Sequence, residues 1–99
     1  MSFVTTQPAE LTSAAADLQS IGCAVEAGNM AAAAPTTGVI PAAADEVSAL
    51  TAAQFAAQAV LYQELSAQAA VIHQQLVEVL GAAAGSYAAT EAANAAEVL

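Results

Sequence analysis

Between Pro8 and Ala34 the apolar residues Leu11, Ala14, Leu18, Ile21, Val25 and Ala32 return at intervals of three, four or their sum. That is the period at which one face of an α-helix repeats. Small residues, including Ala16, Cys23 and Ala27, occupy the opposite side. A proline costs nothing at a first helical position, where its missing N–H has no partner to lose, so this helix is expected to begin at Pro8. Glu10 and Asp17 then lie toward the positive end of the helix dipole. Pro35 opens the break PTTGVIP, which predicts a helix over about 8–34 and a hairpin loop over about 35–44.

Asp45 and Glu46 place two acids at the start of a second helix, where the dipole favours them. No proline or glycine interrupts the chain from there to Leu80, which predicts a helix over about 45–84, roughly 60 Å long at 1.5 Å per residue. A compact globule of this size has no use for such a helix, so the expected molecule is a rod. Val47, Leu50, Leu61, Leu65, Ile72, Leu76 and Val79 form one apolar stripe on this helix. Phe55, Tyr62, Ala69, His73, Val77 and Leu80 form a second beside it, while Glu46, Gln63, Glu64, Gln74, Gln75 and Glu78 cluster on the other half. One neighbouring helix cannot cover so wide an apolar face, and large exposed apolar patches mark interfaces. Small facing residues let helix axes approach closely along a long partner. The expected fold class is therefore all-α: an elongated antiparallel two-helix hairpin that completes a four-helix bundle with a partner.

Composition narrows the functions open to it. The 99 residues contain no lysine or arginine against nine Asp and Glu, a formal charge of −9. No basic group is present to hold a phosphate backbone or an anionic lipid headgroup, which excludes nucleic acid as a partner. The 59% hydrophobic content is largely alanine, the best helix former, and aromatics are only 4%, which supports the all-α reading. The lone Cys23 cannot close an intrachain disulfide and reads as a small packing residue on the minor face of helix one. The opening MSFVTTQPAE has neither the charged nor the apolar region of a cleavable signal, and no stretch is apolar enough to span a bilayer. Any export is expected to use another signal.

Catalytic chemistry finds no support. His73 follows Ser66 by one heptad, about 10 Å along a helix, beyond direct proton transfer. No second His or Cys stands three or four residues from His73 or Cys23, so no metal site and no cofactor is expected. His73 instead reads as lining a partner interface or its rim. In the closing run GSYAATEAANAAEVL, Tyr87 and Glu91 stand four apart among small neutral residues, which on a helix puts both on one face. Taken alone, they read either as a surface feature for another molecule or as an ordinary helix end.

The blocks MSFVTTQP, APTTGVIPAAADEVSALTAAQFAA and GSYAATEAANAA closely resemble the N-terminal domain of the mycobacterial PE family, over essentially the whole of 1–99. The resemblance implies a helical hairpin that pairs with a PPE-family protein in an elongated four-helix bundle and is exported by a type VII secretion system. It also implies that Tyr87 and Glu91, in a C-terminal segment over about 85–99, form the Tyr-x-x-x-Glu export signal, with a Trp-x-Gly turn supplied by the PPE partner. A cytosolic chaperone of the EspG type is implied through the PPE subunit, with no direct contact to this chain. The family's Pro-Glu dipeptide is shifted here: Ala9 follows Pro8 and the glutamate is Glu10, rotated by about 100° around the helix. Glu10 can still favour the helix N-terminus.

The expectation is a non-enzymatic interaction subunit, cytosolic before export and then secreted or associated with the cell surface. Its partner-binding residues would be Leu11, Leu18, Ile21, Val25, Val47, Leu50, Phe55, Leu61, Tyr62, Leu65, Ile72, Leu76, Val79 and Leu80, with Phe55 and Tyr62 as anchors. The alternative is a self-associating or envelope-adsorbed amphipathic helical protein, although its polar face is acidic where membrane-surface helices are usually basic.

Overall fold

Proline, threonine and aspartate set the helix ends. In the computed structural model, which describes residues 4–98, α1 spans Pro8–Thr37 and α2 spans Glu46–Val98, with no strand among the described residues. Residues 1–3 and Leu99, which the expected domain 1–99 and the block MSFVTTQP include, lie outside the described residues. Ahead of Pro8, the Gln7 carbonyl accepts the Glu10 N–H at 3.0 Å and the Leu11 N–H at 3.4 Å. At the start of α2 the Asp45 carboxylate accepts the Ser48 N–H and the Ser48 hydroxyl, both at 2.8 Å, an N-cap that occupies one orphan amide.

Both helices run further than the breaker residues predict. The first was expected to stop near Ala34, yet Pro35 lies inside its last turn. A proline ring already has a helical φ, and what it removes is a single hydrogen bond. The Thr36 hydroxyl donates to the Ala32 carbonyl at 2.6 Å and the Thr37 hydroxyl to the Ala33 carbonyl at 2.7 Å. Gly38 N–H closes on the Ala34 carbonyl at 3.1 Å. The Gly38 N–H thus serves a last-turn carbonyl that would otherwise be orphaned, while the threonine hydroxyls add a second donor to carbonyls one turn back. The second helix passes through Gly81 and Gly85 and continues to Val98, past the expected end near residue 84. Each glycine weakens a helix by about 1 kcal/mol relative to alanine, and the surrounding alanine run offsets that cost.

The chain divides into two compact units. One joins the residues up to Ile21 with those from His73 onward. Among its described residues the least exposed are Thr6 ahead of α1, Pro8, Leu11, Ala14, Ala15 and Leu18 on α1, and His73, Val77, Leu80, Ala83, Ala84 and Glu91 on α2. The segments run antiparallel: Leu18 meets His73, while Thr6 meets Glu91. Among the described residues of this unit, only Ala15 and Ala84 are buried.

The other unit is the hairpin Gly22–Ile72, with its loop between the two helices. Its α2 seam is Ala52, Ala56, Ala59, Gln63, Ser66 and Ala70, spaced alternately by four and three, facing Gly22, Asn29, Ala32, Ala33 and Thr37 on the other arm. Asn29 sets the register: the Tyr62 hydroxyl donates to its Oδ1 at 2.8 Å and Gln63 Nε2 to its carbonyl at 3.0 Å. Alanine seams allow close helix approach but bury little area. No large side chain is fully buried among the described residues.

Candidate functional site

The hairpin unit leaves outside what a core would ordinarily take. Phe55, Tyr62, Leu65 and Ile72 lie on one shoulder of the alanine seam, and Val47, Leu50 and Leu61 extend the apolar surface around α2. All are exposed, Phe55 and Leu65 at 65% each. Leu50 and Phe55, with Thr51, Gln54 and Gln58, line an open depression of about 350 Å³. Val25 and Met30 of the other arm are exposed as well, as is Val60, a residue that the stripe pattern had not singled out. In the other unit Ile21, Leu76 and Val79 are exposed, whereas Leu11, Leu18 and Leu80 are half-buried against the chain's own opposite helix.

Periodicity misassigns Gln63, and it does not by itself give the surroundings of His73 or Cys23. Gln63, grouped with the polar half of α2, sits in the seam and donates to the Asn29 carbonyl. His73, read as a partner-interface residue, places Nε2 at 2.6 Å from the Leu18 carbonyl. A carbonyl can only accept, so that nitrogen carries the proton in this bond. Cys23, read as a packing residue, is exposed. A helical period identifies a face but not which neighbour covers it. Amide and imidazole groups were drawn into the seam because carbonyls of the opposite helix accept from them.

Tyr87 and Glu91 fall on the long α2 helix, one turn apart. The tyrosine is exposed, and the glutamate is half-buried. Glu91 Oε1 accepts two hydrogen bonds from Thr6, at 2.9 Å from the backbone N–H and 3.1 Å from the hydroxyl. Sequence reasoning missed Thr6, because nothing local links positions 85 residues apart. Pro8 is half-buried at the helix start and Glu10 is exposed in its first turn, where the shifted acid still meets the positive end of the dipole.

No cluster of three or more His, Cys, Asp or Glu that could hold a metal occurs among the described residues. No described helix is long and apolar enough to cross a membrane. Paired antiparallel helical segments, small-residue seams and large apolar side chains facing outward define an all-α helical-hairpin domain with its bulky apolar residues on the outside. The chain belongs to the PE family, whose model, described as "PE family", matches residues 4–94.

It is 65% identical over 96 residues to the PE family protein PE13 of Mycobacterium tuberculosis, with 97% of each chain covered. It is 55% identical over 94 residues to the PE family protein PE8 of the same organism, covering 95% of this chain and 34% of that one. The PE-PGRS family protein PE_PGRS33 is 58% identical over 96 residues, with 20% of its length covered. The chain thus spans nearly all of one relative, about a third of the second and a fifth of the third. None of these names carries an enzymatic function.

Proposed function

We propose that the chain is a non-enzymatic interaction subunit that pairs with a PPE-family protein, completing a four-helix bundle. The observation that supports this most is the inversion of ordinary packing: alanines fill the seam while Leu50, Phe55, Leu61, Leu65 and Ile72 stay exposed. The accessible surface is 7260 Å². A folded monomer of 9.7 kDa ordinarily exposes about 5,100 Å². The surplus, about 2,000 Å² on this side alone, is of the scale that an obligate interface buries.

In this reading Phe55 and Tyr62 anchor the PPE partner, and a chaperone of the EspG type reaches the complex through that partner. Tyr87 and Glu91 form the Tyr-x-x-x-Glu address for a type VII secretion system. The protein is then cytosolic before export and secreted or surface-associated after it.

The test is co-purification of the tagged chain from a mycobacterial cytosol, with mass spectrometry of the bound proteins. A stoichiometric PPE protein is expected, and Leu65→Asp should abolish its recovery, because a carboxylate cannot be desolvated in an apolar interface without a partner. A partner-free folded monomer, or a Leu65→Asp complex of normal yield, would overturn this placement of the interface.

A further inference from the structure

Two hydrogen bonds between the segment before α1 and the far part of α2 converge on a residue that the proposed address depends on. Glu91 is the only acid between Glu78 and Glu97. Its carboxylate is not left to sample rotamers on the helix surface: the Thr6 N–H and the Thr6 hydroxyl both donate to Oε1. Hydrogen bonds to an ionised acceptor are the stronger kind, and two donors from one residue fix orientation as well as distance. Thr6 lies two residues ahead of Pro8, so its N–H is outside the helical ladder of α1 and free to serve this contact.

We infer that Thr6 is a positioning residue for the address, so that the signal is a folded composite of the segment before α1 and the Tyr87–Glu91 turn of α2. Thr6 holds Oε1 and leaves Oε2 without a hydrogen bond among the described residues, one helical turn from the exposed Tyr87. The reader that fits this geometry presents a hydrogen-bond donor or cation to Oε2 and an apolar surface to the ring. Such a reader would discriminate the docked, folded chain from an unfolded one carrying the same four-residue spacing. This inference rests on the proposed address role of Tyr87 and Glu91.

The experiment compares export of Thr6→Ser, Thr6→Val, Thr6→Pro, Glu91→Ala and Tyr87→Ala variants, as the ratio of protein in culture filtrate to protein in cells, with partner co-purification measured for each. Thr6→Ser keeps both donors and should export normally. Thr6→Val loses the hydroxyl and should fall several-fold. Thr6→Pro loses both donors and should fall about tenfold or more, as far as Glu91→Ala.

Normal export of Thr6→Pro alongside blocked Tyr87→Ala and Glu91→Ala would overturn the composite and leave a linear address. Normal export of Tyr87→Ala would overturn the address itself, and this inference with it. A second readout is independent of export: in the purified complex the Thr6 amide should exchange with solvent about tenfold faster after Glu91→Ala. Unchanged exchange would remove the clamp whatever the secretion result.

Discussion

At the scale of single residues, capping and pinning explain more than hydrophobicity does. Asp45 accepts from the Ser48 backbone and side chain, and those bonds, the backbone one foremost, hold its carboxyl below the ordinary value of 3.8. A carboxyl depressed by folding adds stability above its ordinary pKa and loses it as pH falls through the lowered folded value. Wild type should therefore lose more melting temperature than Asp45→Asn between about pH 6 and about pH 2, followed by circular dichroism. Equal acid sensitivity of the two would show that the cap's charge contributes nothing. The sequence placed Asp45 at the start of the second helix for its charge, and the structure adds the cap. The Asn29, His73 and Thr6 contacts were not legible, since each joins residues 33 or more apart.

At the scale of helices, local breakers proved weaker than their reputation. Pro35 sits in the last turn of α1, where it removes one bond and the following threonine hydroxyls serve nearby carbonyls. Gly81 and Gly85 interrupt nothing, because an unbroken alanine-rich run lies beyond them. A Cβ built at Gly81 meets no atom within 4 Å. Gly81→Ala should thus stabilise the isolated chain by roughly 0.5–1 kcal/mol. Melting followed at 222 nm would register this as a rise of a few degrees. A fall instead would mean that the backbone at Gly81 is approached more closely than the isolated chain reveals.

At the scale of the whole molecule, a charge of −9 with no lysine or arginine coexists with many exposed leucines, valines and isoleucines. Acidic charge keeps such a surface soluble, and repulsion opposes pairing two copies along their length. The unpaired chain should enhance the fluorescence of a hydrophobic dye, and most of that enhancement should vanish on adding a stoichiometric partner. Dye binding unchanged by the partner would place the interface elsewhere.

The sequence by itself determined the all-α class, two helices separated by a short loop, an apolar surface wider than one helix can cover, and family membership, because composition, period and a long distinctive block are local properties of the chain. Only the tertiary structure decided which stripe faces inward. Alanine permits the closest helix approach, so the seam took Ala52, Ala56 and Ala59 and left Phe55, Tyr62 and Leu65 outside. It alone also brought Thr6 onto Glu91, since a contact across 85 residues follows from how the helices pair and leaves no trace in any local pattern.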